Sequence, residues 1–361
     1  MSISYFWSID KTQTLKSIPK ELGFLLLPLL FMKVQISKTD KEKLLKYYSF
    51  SMVILVVFFL SRAIIRFSIN QDTRAFFYHG ENDDDFGLVP KLLNAIHVSV
   101  FVAVAFFYFF TKELKSKVDI FLSLLLVGFL ILLSSKNIIL VFIILVLGYY
   151  LYNTKSSNKI RIRNLMIFIV VIAVGLSFGK IRNRFQEEFR NNLSSKTSAT
   201  LQNGVHNISI YEAWNNETFS PNDYFPGTAF RVYQIRMFFE LLKEEPILLK
   251  GFGLNASEKK LLEKEKKYNL YNGYGSFNFH NQYIQFFAEL GVIGLSLLLL
   301  ILAKNIKNAI NNKDFIHFSF AVLMISLFLT ESFLSRQRGI VFFVTMYCIF
   351  NARVDSINSK S

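Results

Sequence analysis

Long uninterrupted apolar runs, not short alternating patches, dominate the pattern of this chain. They fall near residues 22–34, 47–67, 88–110 and 164–181, and after a long polar interval near 283–303, 315–329 and 339–350. A helix needs about 20 residues to cross the hydrocarbon of a bilayer. Most of the runs reach that length, and the first and last are short. The run at 118–152 is too long for one crossing and is interrupted by Ser134-Ser135-Lys136-Asn137, which reads as the turn of a helical hairpin.

Loop charge orients these segments, because lysine and arginine accumulate on the cytoplasmic side. Lys112, Lys115 and Lys117 precede the hairpin, and Lys155, Lys159, Arg161 and Arg163 follow it, so both flanks read as inside. Residues 38–46 and 304–313 read the same way, and the acidic stretch 81–85 reads as outside. The expectation is an all-α polytopic membrane helical bundle of about nine spans, N-out/C-in. Residues 1–181 form an N-terminal transmembrane bundle of six spans, 182–280 one large periplasmic loop containing helices, and 281–361 a C-terminal bundle of three spans. An external N-terminus suggests that relatives carry earlier spans.

Composition agrees with a membrane chain and narrows the chemistry. Of 361 residues 52% are hydrophobic and 40 are Phe, far from a soluble domain. The net charge of +15 comes without an RNA-binding signature or a basic amphipathic tract, so membrane lipids are expected partners and nucleic acid is not. The single cysteine, Cys348, rules out an intrachain disulfide and a thiol metal site. His79, His97, His206 and His317 have no metal-ligand spacing, and no metal or other cofactor is expected. Residues 1–20 lack the apolar core and small-residue cleavage site of a signal peptide.

Once the inner lysines are explained, Arg62, Arg66, Lys136, Arg336 and Arg338 remain at the outer ends of spans. Cations there are costly unless partnered. Singly they could snorkel to lipid headgroups or pair with Glu331 and Glu289; as a group they point to an anionic ligand. Within the outer segment, residues 228–244 read as an amphipathic helix ended by Pro246. On its wheel Arg236 shares a polar stripe with Glu240 and Lys243, a solvated face. Arg231 falls among Ile235, Phe238 and Leu242, a side that should pack, so its guanidinium calls for a specific anionic partner. Residues 246–253 form a tight apolar turn, and 258–267 a charged helix or loop. His280 directly precedes the span beginning near Tyr283, with Asn281 available as its cap, so it sits at the positive end of a helix. That field favours the neutral imidazole, the form that accepts a proton.

In order along the chain stand Arg231, residues 246–253, Phe279-His280-Asn281-Gln282-Tyr283, and Glu289-Leu290-Gly291-Val292-Ile293-Gly294-Leu295. This set resembles the signature region of the O-antigen ligase/polymerase family of membrane glycosyltransferases. Ser134-Ser135-Lys136, Thr330-Glu331-Ser332 and Arg336-Gln337-Arg338-Gly339 extend the likeness over residues of about 120–350. Lys136 stands where many relatives carry arginine, which keeps the charge and loses the bidentate fork.

The resemblance implies a GT-C-like bundle in the bacterial inner (cytoplasmic) membrane, its active site facing the periplasm. It implies a metal-independent transfer of a glycan from an undecaprenyl-diphosphate-linked oligosaccharide donor to a sugar hydroxyl. The acceptor is lipid A core for a ligase or a growing glycan for a polymerase, with a slight preference here for the polymerase. His280 would be the general base, Arg231 and Lys136 would hold the donor diphosphate, and Arg336 and Arg338 are further candidates for that role. The alternative class is a transporter of an anionic solute, which should show internal symmetry and paired broken helices; neither is visible in the sequence.

Overall fold

Side-chain caps set where the helices begin. Asp10 accepts from the Gln13 amide to start α1 (Lys11–Glu21), and Ser37 accepts from the Asp40 amide to start α3 (Lys38–Asn70). Ser116 and Asp119 form a reciprocal capping box at the head of α5 (Lys117–Leu133). Asn94 caps α4 (Ala95–Phe110), so the apolar run predicted from residue 88 becomes helical only after it. The other apolar runs also become helices: α2 (Gly23–Met32), α6 (Lys136–Gly148), and α7 (Asn158–Ser177). The same holds for α11 (Gln282–Asn311), α12 (Phe315–Phe328) and α13 (Gln337–Asn351). The predicted interruption at Ser134 is the turn between α5 and α6, with Ser134 in the left-handed region at φ 52°.

This computed structural model describes residues 1–78, 86–153, 158–177, 179, 182 and 206–352. The acidic stretch 81–85, His79, Lys155 and the early part of the outer segment, 183–205, lie outside them. Among the described residues, three helices are long and apolar enough to cross a membrane: Lys38–Asn70, Lys136–Asn153 and Gln282–Asn311. Ala95–Phe110 and Phe315–Phe328 are shorter apolar helices. The long polar interval adds α8 (Ile210–Asn215), α9 (Gly227–Glu244) and α10 (Ser257–Lys267). One departure from an all-helical chain is a two-residue parallel pairing of β1 (His206–Asn207) with β2 (Asp223–Tyr224).

The chain forms two compact units, each assembled from separate stretches: residues 1–30, 183–304 and 327–346 in one, and 31–182, 305–326 and 347–361 in the other. The second unit has an aromatic interior, where Phe106 stacks on Phe110 at 4.9 Å and meets Phe142 edge-on at 4.7 Å. At one end Lys41 pairs with Asp314 at 2.8 Å, joining the two basic stretches that charge assigned to one side. Arg62 and Arg66 lie against the rings of Phe59 and Phe86.

The first unit has a core of aromatic and aliphatic side chains from α9, the loops beside it and the head of α11, including Phe230, Tyr233, Phe238, Phe252 and Phe279. Its organising feature is a break in α11. Gly291 has φ 67° and ψ −165°, outside helical space, and the freed backbone groups bond to the segment at 248–253. Phe252 N donates to Ala288 O at 2.8 Å, Gly253 N to Glu289 O at 2.9 Å, and Val292 N to Leu248 O at 2.8 Å. The apolar turn predicted at 246–253 thus inserts into the hydrogen-bond ladder of α11, a recognised cause of a kink. Residues 1–21 dock on the same turn: Ile9 N donates to Phe252 O, Trp7 Nε1 to Lys250 O, and Thr14 Oγ1 to Leu254 O.

At the end of α1, Glu21 has a buried Oε2 atom without a hydrogen-bond partner. Burial, and then the neighbouring Glu289, pushes its carboxyl up to about 8. A carboxyl raised on folding contributes stability below its unfolded value and loses it as pH rises through the folded one. Glu21→Gln is therefore expected to raise the unfolding temperature more at pH 8.5 than at pH 5, the two curves converging toward acid. Equal shifts at both pH values in detergent-solubilised protein would contradict this.

Candidate functional site

Asn281 closes the head of α11 by accepting from the Ile284 amide at 3.1 Å, so the predicted cap is present. Its amide group donates to Leu329 O at 3.1 Å, and Gln282 Oε1 accepts from Leu334 N at 2.6 Å. These bonds bind the corner at residues 329–335 to the segment that carries His280. His280 itself holds φ 47°, with its amide donating to Asn278 Oδ1 at 3.0 Å. Its ring lies between Phe230, with centroids 5.6 Å apart, and Phe277, at 6.0 Å.

Glu331 is the centre of the arrangement. It is 7% exposed and presents one carboxylate oxygen to each of two cationic or protonatable groups. Oε1 lies 3.4 Å from Arg231 Nη2, and Oε2 lies 3.6 Å from His280 Nδ1. His280 Nδ1 is buried and has no hydrogen-bond partner, which leaves Nε2 as the ring nitrogen open to an incoming group. Arg231 is held further by Nε donating to Thr330 O at 3.0 Å and Nη1 to Gly227 O at 3.2 Å. A guanidinium has five N–H donors, so this scheme leaves one on each terminal nitrogen. The anionic partner expected for Arg231 is thus a residue of the chain, 100 positions away, and the guanidinium keeps donors for a second anion.

Helix α9 corrects the reading of Arg236. It does not lie on a solvated stripe: its side chain is 12% exposed against 28% for Arg231. Arg236 donates to Glu240 at 2.9 Å, to Asn216 O at 2.6 Å and to Ala213 O at 3.4 Å, and stacks over Tyr268. Lys264, buried, joins the network by donating to Glu240 at 2.7 Å and Glu244 at 2.9 Å. Burial alone would raise the Glu240 carboxyl, yet hydrogen bonds from Lys264 and Tyr268 outweigh it and hold the group below the usual carboxylate range. This cluster fixes α9 against α10 and so aims Arg231 at residues 330–331.

Of the other predicted cations, Arg336 and Arg338 stand at the entry to α13, Arg336 exposed and Arg338 half-buried. Glu331, weighed from the sequence as a partner for these cations, lies against Arg231 and His280. Glu289, the other weighed partner, accepts from Gln285 and from the Asn255 amide. Lys136 belongs to the other compact unit, where it begins α6 half-buried. A polar cavity of about 370 Å³ opens in the first unit, with Phe277, Asn278, Lys20 and Arg336 among its lining residues; His280, Arg231 and Glu331 do not line it.

The role of Glu331 was not read from the sequence, although it is the lone acidic residue of a cation-rich outer turn. Among the described residues no group of three or more His, Cys, Asp or Glu could hold a metal ion. A buried carboxylate fixing a histidine and an arginine, with one ring nitrogen and two guanidinium donors free, can accept a proton and bind an oxyanion at neighbouring points. Residues 121–299 match the family described as O-Antigen ligase. No curated protein matches the chain.

Proposed function

This chain belongs to the O-antigen ligase/polymerase family, and from that premise we propose that His280, Glu331 and Arg231 form the centre of a periplasmic glycan transfer. The family makes the chain a multi-pass membrane protein of glycosyltransferase type. The finer reading is transfer of a glycan from an undecaprenyl-diphosphate-linked oligosaccharide to a sugar hydroxyl. The observation that carries it is Glu331 standing between Arg231 and His280.

The step balances as a substitution at the anomeric carbon of the donor. Nε2 of neutral His280 accepts the proton of the acceptor hydroxyl, and the oxygen bonds to the anomeric carbon. The bond from that carbon to the diphosphate oxygen breaks, and undecaprenyl diphosphate leaves with the electron pair. In this reading Nδ1 carries the proton on the side of Glu331, whose Oε2 lies 3.6 Å away, and Nε2 carries the lone pair. The two remaining Arg231 donors suit the oxygens of the leaving diphosphate, where charge builds as the bond breaks. Arg338 is a further cation for that group, and the family resemblance adds Lys136. The family domain lends no support to the anionic-solute transporter.

The test is complementation of a polymerase-null and of a ligase-null host, reading the glycan ladder on gels. A polymerase restores graded chain lengths in the first host; a ligase restores capped lipid A core in the second. Expression in the membrane with neither product would contradict the reading. Glu331→Gln is expected to weaken transfer in the same host. The Arg231→Gln and Glu331→Gln double variant should lose about 0.5–3 kcal/mol less stability than the two single losses added, because the partners are coupled. Additive losses by thermal unfolding would contradict the pairing.

A further inference from the structure

The cavity lined by Phe277 and Asn278 is built from groups that the transfer step does not use. Asn255, Ser257, Ser276, Asn278, Gln285 and Ser335 are among its lining residues; Gln285 is committed to Ser257, Glu289 and Phe279, which leaves Asn255, Ser335 and the Asn278 amide nitrogen as neutral polar groups for a ligand. Such neutral donors and acceptors match the hydroxyls of a sugar ring, and Phe277 adds an aromatic face for its C–H surface. At about 370 Å³ the space falls within the roughly 300–1,000 Å³ of small-molecule sites.

The charges at its edge are more specific. Lys20, Arg336 and Glu258 line the cavity, two positive and one negative, a local balance of +1. Gln13 donates to Glu258 Oε2 at 3.3 Å, so this carboxylate already has a partner. Among the described residues of 206–280, five cations are spent on carboxylates: Arg231 on Glu331, Arg236 and Lys264 on Glu240, Lys260 on Glu245, and Lys267 on Glu244. Arg336 is exposed at the entry to α13, and Lys20, also exposed, acts electrostatically on Glu21 and Glu289. A diphosphate would call for more than one net positive charge and a denser set of cationic donors. A saccharide that presents one carboxylate per ring among many hydroxyls fits the count, one ring of it entering the cavity.

We propose that this cavity is a subsite for an acidic saccharide, a uronic acid residue whose carboxylate is met by Arg336 and Lys20 while the amide and hydroxyl groups read its ring. This rests on the glycan-transfer reading and moves Arg336 from the donor diphosphate to selection of the sugar. Phe277 lines the cavity and its ring lies 6.0 Å from that of His280, so this aromatic side chain connects the subsite to the histidine.

The test measures binding to the full-length protein in detergent micelles by calorimetry at low salt, with three probes: trigalacturonate, its methyl ester, and inorganic pyrophosphate. Trigalacturonate is expected to bind at least about tenfold tighter than the ester, whose carboxylates are masked as neutral methyl esters. The preference should fall below about threefold in Arg336→Gln and in Lys20→Gln, both exposed positions whose unfolding temperatures should match wild type. Equal affinity for acid and ester, no binding of either, or pyrophosphate binding tighter than trigalacturonate would overturn the proposal. So would a preference that survives the Lys20→Gln and Arg336→Gln double variant. His280→Asn should keep the uronate preference, so the two readings separate. Selectivity absent with transfer intact sinks the subsite alone, and selectivity present without transfer by wild type sinks the transfer reading.

Discussion

Replacing His280 by asparagine is expected to lower glycan transfer at least about a hundredfold, because a positioned general base contributes roughly 10²–10⁴. Asparagine is the informative replacement. His280 holds φ 47°, a left-handed conformation that asparagine tolerates better than most residues and alanine less well. It also removes the ring nitrogen while keeping a polar side chain near Glu331. The unfolding temperature should stay within a few degrees of wild type, so that lost transfer reports lost chemistry. A His280→Asn protein of normal stability transferring within threefold of wild type would remove the histidine from the mechanism.

The second large effect is structural. Gly291→Ala should leave little folded protein, because a Cβ there would collide with the Leu249 carbonyl and the Lys250 nitrogen, both backbone atoms that cannot move aside. The left-handed φ of 67° adds a conformational cost of about 1–2 kcal/mol for a residue with a side chain. With overpacking of about 1–3 kcal/mol the loss reaches roughly 2–5 kcal/mol, a large part of a typical folding free energy. Gly128→Ala is the control: it lies inside α5 with nothing within 4 Å of the added carbon, and helix propensity makes it neutral or stabilising. Comparable yield and thermal stability for Gly291→Ala and Gly128→Ala would contradict the inserted turn.

The two predictions touch what was and was not legible in the sequence. Apolar runs reported their helices because burial along one chain segment is a local property. Ser134 marked the hairpin turn and Asn281 the head of α11 for the same reason: a cap acts within three residues. The break at Gly291 was not legible, since the apolar pattern continues through it and the atoms that replace the helix bonds come from residues 248–253. Arg236 was misjudged because a helical wheel knows only its own helix. Its partners include the carbonyls of Ala213 and Asn216 and the ring of Tyr268, supplied by other segments.

The site divides along the same line. That Arg231 needed an anionic partner followed from its apolar neighbours on α9. That the partner is Glu331, and that this carboxylate also faces His280, required the fold to bring residues 231, 280 and 331 together. The sequence treated Glu331 as a counter-ion for the arginines nearest to it in the chain. The structure also brings it to a pair distant in the chain, Arg231 at 3.4 Å and His280 at 3.6 Å.

The most direct measurement of the central claim is a transfer assay with the purified chain in lipid vesicles, supplied with a labelled undecaprenyl-diphosphate oligosaccharide and a sugar acceptor. Wild type should release undecaprenyl diphosphate one for one with glycan joined to the acceptor, and His280→Asn should release almost none. Folded, correctly inserted wild type that consumes no donor, or a His280→Asn variant that matches its turnover, would contradict the account.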